Sequence, residues 1–226
     1  MGNEGFERLA LPAGLSLIWR PEGLTLAGGG MELRADLTES LHRLRPDRLR
    51  GELLVRAARM KDLPERPVAV DATAGFGEDS LLLAAAGYDV QLYELDPVIA
   101  ALLRDALERA AAVPELAEAV GRMTLHEGDS IRALRELSEA PDLVYLDPMF
   151  PGRTKRALVK KKFQLLQQLE RPCADEQELL SAAMAAGPRR IVIKRPLKGP
   201  YLAGVRPGFE IRGKTVRYDC IVPPAK

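Results

Sequence analysis

Cysteine and histidine are both scarce in this sequence: its 226 residues hold two of each, Cys173, Cys220, His42 and His126. Two cysteines cannot build a disulfide framework, and the four residues together make a poor ligand set for a structural zinc site. No metal is expected. Long apolar runs are missing as well; none reaches the roughly 18 residues that a membrane-spanning helix needs, so no membrane partner is expected. No basic-then-apolar leader pattern opens the sequence, and with so few cysteines the expected location is the cytoplasm. What is present is an ordinary globular composition, 46% hydrophobic and 29% charged, which excludes a chain too polar to fold.

The net charge of +1 hides an asymmetry. Residues 68–147 carry 5 basic and 16 acidic side chains, whereas residues 148–226 carry 17 basic and 6 acidic. A basic C-terminal third after an acidic middle suits a polyanionic partner held by one part of the molecule. Solvated surface charge is the plainer explanation of the same pattern.

Two regions are expected. Residues 1–63 read as a small N-terminal α+β subdomain: a hairpin around Pro21-Glu22-Gly23, a third strand near Met31, and an Arg-rich helix over 38–61, interrupted at Pro46. Thr38 or Asp47 is the expected cap. From residue 64 to 226 strands and helices alternate, with strands at 68–71, 90–94, 123–126, 142–147 and 190–194 and helices at 79–86, 97–112, 130–137, 156–169 and 175–186. Such alternation predicts a doubly wound parallel α/β sheet. The tail changes style. Residues 209–212 and 216–222 flank a Gly213-Lys214 turn and predict a closing antiparallel hairpin, for seven strands in all.

Chemistry gathers at the strand ends. Tyr145-Leu146-Asp147-Pro148-Met149-Phe150 closes a buried strand, because Pro148 cannot extend it. Asp147 therefore sits at the carboxyl end, where open α/β sheets bind ligands. Its carboxylate and the Pro148 carbonyl can accept hydrogens from an exocyclic amine, and Phe150 can stack on a flat ring. Asp71-Ala72-Thr73-Ala74-Gly75-Phe76-Gly77 joins the first strand of this region to its helix, and Gly75 and Gly77 let a ligand approach the backbone. Glu78 and Asp79 follow at the helix start, where a pyrophosphate would want no carboxylate. A cationic, phosphate-free nucleoside such as S-adenosylmethionine fits better. Glu94 can accept ribose hydroxyls, and Asp129 can accept an adenine amine or, with Ser130, cap a helix. Four acid-bearing strand ends in series, at 71, 94, 129 and 147, form the strongest signal, and Asp71, Gly75 and Gly77 are expected cofactor contacts with the other acids.

These blocks resemble a known family. The core is similar to class I Rossmann-like S-adenosylmethionine-dependent methyltransferases, and Asp147-Pro148-Met149-Phe150 resembles the signature of nucleic-acid amino-methyltransferases. Together with 157–161 and 192–196, the blocks are similar to the RsmJ family over about residues 65–222, with a looser match before them. The resemblance implies methylation of a guanine N2 amine in 16S ribosomal RNA, as naked RNA or within the small ribosomal subunit. It implies a cofactor site lined by Glu78, Asp79, Glu94, Leu95, Asp129, Ser130 and Asp147. Glu78 stands where the family commonly has Arg, and Leu95 where it commonly has a polar residue.

Asp147, Pro148 and Phe150 are the expected catalytic residues. Arg153, Lys155, Arg156, Lys160, Lys161, Lys194 and Arg195 are the expected RNA contacts, with the Arg-rich N-terminal helix as a second RNA surface. The alternatives are an adenine-amine methyltransferase acting on DNA or another RNA, a nicotinamide-dependent oxidoreductase, and an RNA-binding module without catalysis.

Overall fold

The structure, a computed structural model, describes residues 9–148, 165, 169 and 175–224. Phe150, Arg153, Lys155, Arg156, Lys160 and Lys161 lie outside the described residues, as does nearly all of the helix expected over 156–169.

A three-stranded antiparallel sheet comes first: β1 (Leu15–Arg20), β2 (Gly23–Gly28) and β3 (Met31–Leu33). Arg20 pairs with Gly23, so Pro21 and Glu22 form the expected hairpin turn. The expected helix over 38–61 is instead four pieces. A 3-10 turn at Leu37–Ser40 leads into α1 (Leu41–Leu44), α2 (Pro46–Leu49) and α3 (Leu53–Ala58). Pro46 drives Arg45 out of helical conformation, to ψ 136°, and opens α2 itself. A second break falls at Glu52, with ψ 131°. The cap is Asp36, whose carboxylate accepts from the Thr38 N–H at 3.0 Å; neither Thr38 nor Asp47 caps.

The larger sheet has seven strands: β4 (Val68–Asp71), β5 (Asp89–Glu94), β6 (Met123–Glu127), β7 (Leu143–Leu146), β8 (Arg190–Pro196), β9 (Phe209–Arg212) and β10 (Val216–Ile221). Their order is β6-β5-β4-β7-β8-β10-β9, parallel except where β10 runs against β8 and β9. The chain winds outward from β4 through β5 and β6, then returns to place β7 on the other side of β4. That reversal opens a crevice at the carboxyl ends of β4 and β7. Every residue of β7 is buried, as expected of a parallel strand covered on both faces.

Helices α4 (Glu78–Ala85), α5 (Pro97–Ala111), α6 (Pro114–Val120), α7 (Ser130–Glu136) and α8 (Glu176–Ala185) cover the sheet. Asp96 caps α5 by accepting from the Val98 and Ile99 N–H groups, and Pro97 supplies the preset first turn. Helix α6 is absent from the sequence expectation; it spans only 7 residues behind Pro114, too few to show a period. Leu24, Leu26, Leu33 and Leu37 lie in the same buried cluster as Leu81, Leu102 and Leu103, so the small sheet shares a core with the larger one. A second cluster, including Val70, Val144, Leu180 and Ile193, fills the other face.

Gly75 and Gly77 both have left-handed backbones, at φ 54° and 75°. A Cβ on Gly77 would come within 2.8 Å of Leu103 Cδ1, whereas one on Gly75 would meet nothing within 4 Å. Both alanine variants lose about 1–2 kcal/mol to the conformation. Gly77→Ala adds overpacking of about 1–3 kcal/mol, so urea denaturation will rank Gly77→Ala below Gly75→Ala.

Candidate active site at the carboxyl edge of the sheet

The turn after β4 is built on a buried acid. Asp71 is 1% exposed, and its carboxylate accepts from the Thr73 N–H at 3.0 Å and the Ser80 hydroxyl at 2.5 Å. Burial pushes this carboxyl up to about 7, against the opposing hydrogen bonds. Asp71 thus lies beneath the crevice and shapes the turn, with no surface to offer a ligand.

Glu94 ties that turn to the end of β5. Its Oε2 accepts from the Gly75 N–H and its Oε1 from the Asp96 N–H, each at 2.9 Å. Burial raises the Glu94 carboxyl above its usual range although backbone N–H groups favour its charge. Leu95, next in sequence, is 64% exposed, an apolar side chain standing beside the acid. The Gly128 N–H donates to the Glu94 carbonyl at 2.9 Å and brings the end of β6 alongside. Asp129, exposed, then caps α7 through the Ile131 N–H, and half-buried Ser130 opens that helix.

On the other side of the crevice stands a charged cluster. The Asp147 N–H donates to Thr73 Oγ1 at 2.7 Å and locks the end of β7 to the first turn. Lys194 Nζ lies 2.6 Å from Asp79 Oδ2 and 2.9 Å from Asp147 Oδ2. The Tyr145 hydroxyl also donates to Asp79 Oδ2, at 2.6 Å. Burial alone would raise the Asp79 carboxyl, but the Lys194 ammonium and these hydrogen bonds outweigh it and hold it below the ordinary carboxylate value. Burial and the nearby acids push the Tyr145 and Tyr218 phenols up, so both stay protonated at neutral pH.

Gly75, Asp79, Glu94 and Asp147 therefore meet at one edge, and Pro148 is buried just beyond Asp147. Gly77 is buried against Leu103, and Glu78 is exposed in the first turn of α4. Two expected RNA contacts are corrected. Lys194 is the centre of the acid cluster, its side chain only 19% exposed. Arg195, on the opposite face of β8, is 1% exposed and donates to the Pro200 carbonyl at 3.0 Å and Glu176 at 3.1 Å. Arg43 also departs from the Arg-rich surface: it pairs with Glu52 at 2.8 Å, and its charge acts on Asp79 and Tyr218. Thr73, Tyr145 and Tyr218 escaped the sequence reading. One signal was available, since a lysine inside a buried strand needs an acidic partner.

The edge suits a positively charged nucleoside. Carboxylates dominate it, the backbone at Gly75 faces open space, and Leu95 offers an apolar face beside Glu94. Among the described residues no group of three or more His, Cys, Asp and Glu side chains is placed to hold a metal ion, and no helix is long and apolar enough to cross a membrane. Fold and edge together define a class I S-adenosylmethionine-dependent methyltransferase.

Comparison with known proteins agrees. The family model described as "Putative SAM-dependent methyltransferase" matches residues 13–223, so the match takes in most of the N-terminal region as well. The ribosomal RNA small subunit methyltransferase J of Thioalkalivibrio sulfidiphilus is 49% identical over 77% of this chain and 69% of its own length. Its counterpart from Pseudomonas aeruginosa strain UCBPP-PA14 is 41% identical over 94% of this chain and 86% of its own. A SAM-dependent methyltransferase from Neisseria gonorrhoeae, known from its crystal structure, aligns with a TM-score of 0.75 at 32% identity, covering 96% of this chain and 86% of that one. The chain belongs to the ribosomal RNA small subunit methyltransferase J family.

Asp71 makes the stability of this edge pH-dependent. Its folded value of about 7 lies above the ordinary 3.8, so the folded state binds the extra proton and stability falls as pH rises between them. Asp71→Asn removes that loss. Urea denaturation at several pH values will show the wild type losing stability relative to the variant across this window, by about 1.4 kcal/mol for each pH unit crossed.

Proposed function

We propose that this protein methylates the exocyclic N2 amine of a guanine in 16S ribosomal RNA, using S-adenosylmethionine. The observation that carries the reading is Asp147, held at the winding reversal beside Gly75 and Glu94, in a member of this family. Glu94 would accept the ribose hydroxyls, Leu95 would cover one face of the adenine, and Asp129 would accept its amine. Glu78, Asp79 and Ser130 would complete the lining. When bound, the cofactor supplies an electrophilic methyl group on a sulfonium sulfur.

The chain's own residues then prepare the nucleophile. An aromatic amine is weak because its lone pair is delocalised into the ring. Asp147 and the Pro148 carbonyl accept its two hydrogens and turn the lone pair out of the ring plane. The proton that the amine loses leaves along the Asp147 hydrogen bond. Positioning and fixed charge contribute most of the catalysis.

Phe150, outside the described residues, would receive the unstacked base, with stacking worth about 1–3 kcal/mol. Arg153, Lys155, Arg156, Lys160 and Lys161, also outside them, would hold RNA phosphates. Residues 1–63 would act as a subdomain that presents a second basic surface, through exposed Arg45, Arg48, Arg50, Arg56 and Arg59. Action on ribosomal RNA would place the enzyme in the cytoplasm.

The test is methyl transfer from labelled S-adenosylmethionine to 30S particles and protein-free ribosomal RNA that lack the modification. Wild type should label at least one of them. Asp147→Ala should lose about 100-fold or more in rate, the scale of a missing proton acceptor. Its thermal stabilisation by S-adenosylhomocysteine should weaken but remain measurable, because Asp147 is one of several residues of the expected lining and Gly75, Glu94 and Leu95 are untouched. An Asp147→Ala variant of normal rate would overturn the assigned role.

A further inference from the structure

Lys194 has no assigned task in the mechanism above, yet it occupies the centre of the site. Its ammonium touches the two carboxylates that flank the crevice, Asp79 at 2.6 Å and Asp147 at 2.9 Å. A lysine whose side chain is 19% exposed and doubly paired has little reach toward a phosphate. We propose that Lys194 is a positioning residue, a cationic clamp that fixes the orientation of the Asp147 carboxylate for the substrate amine. The inference rests on the methyltransferase reading and assigns one more residue to it.

Three features of the geometry support this. First, Asp147 is held at two points: its backbone N–H by Thr73 Oγ1 at 2.7 Å and its carboxylate by Lys194. With its backbone and one carboxylate oxygen both held, the Asp147 side chain has few orientations open to it. Second, Asp79 is held in turn by the Tyr145 hydroxyl at 2.6 Å, so the clamp is anchored to the rigid strand β7 and to the start of α4. Third, the ammonium separates two acids that would otherwise repel.

The groups that act on this cluster come from every element around it. Asp71 on β4, Asp79 on α4 and Tyr145 on β7 act with Lys194 on β8 and Tyr218 on β10, and Arg43 on α1 reaches Asp79 and Tyr218. Burial works against the charge on Lys194, but Asp79 and Asp147 overcome it and raise its proton affinity well above that of an ordinary lysine. Lys194 therefore stays an ammonium throughout the working range and is no base. Its effect passes through Asp147.

Lys194→Met keeps most of the length of the side chain and removes the charge. Carboxyl carbon NMR of the apoprotein should then show the Asp147 titration midpoint raised by about one pH unit or more, since Asp79 would face it without a cation. With ribosomal RNA as substrate, kcat at neutral pH should fall about tenfold or more through the lost orientation of the carboxylate, with KM for RNA changed less than about threefold. Lys194→Arg should restore the midpoint and most of kcat. A raised KM for RNA at unchanged kcat would instead make Lys194 a phosphate contact and overturn the proposal. So would an unmoved Asp147 midpoint. Should Lys194→Met fail to fold, Lys194→Arg decides: kcat near wild type supports the clamp, and kcat as low as in Asp147→Ala overturns it. The NMR readout needs no substrate, so an Asp147 midpoint that moves in an enzyme labelling no ribosomal RNA would refute the substrate assignment and leave the clamp standing.

Discussion

A lysine ammonium held between two carboxylates is the constraint on which the site depends. Asp79 comes from the start of α4, Asp147 from the end of β7, and Lys194 from β8. Three separate stretches of chain must arrive with the right register for this cluster to close. Parallel pairing of β7 with β8 sets Leu146 opposite Ile193, which puts Asp147 and Lys194 at the same height above the sheet. The arrangement is unforgiving, because removing one partner of a buried ion pair strands the others at about 3–5 kcal/mol. Such a cluster adds little net stability over apolar packing, so its value here is geometric.

The same edge explains the choice of cofactor. A dinucleotide site places bare N–H groups of a helix N-terminus against phosphate. Here Glu78 and Asp79 occupy the first turn of α4, and the Gly75 N–H is already turned toward Glu94. What remains is an acidic rim with an apolar plate, Leu95, beside it. That combination favours a cationic nucleoside and disfavours a phosphate.

Much of the fold was legible because parallel strands advertise themselves. The apolar residues of β4 and β7 bounded by acids, and Asp96-Pro97 before a long helical pattern, all carry local signals. Glu94 and Asp147 were legible for the same reason, since strand ends followed by turns locate the crevice. Lys194 and Arg195 were not. They are adjacent, both cationic, and point to opposite faces of β8. One meets two acids across the sheet edge and the other is sealed against Pro200 and Glu176. Only tertiary structure distinguishes these environments. The fragmented helices before residue 59 were misread because each is 4 to 6 residues long, shorter than the period needed to see a break. Tyr145 read as core, and it is 1% exposed; that its hydroxyl donates to Asp79 depends on a residue 66 positions away.

The activity proposed for this edge is methylation of the exocyclic amine of a guanine. The most direct measurement is nucleoside mass spectrometry of 16S ribosomal RNA treated with the protein and trideuteromethyl S-adenosylmethionine. The expected result is one new species, N2-methylguanosine carrying three deuteriums. Deuterium on an adenine amine, or on a ring nitrogen or ribose oxygen, would contradict it.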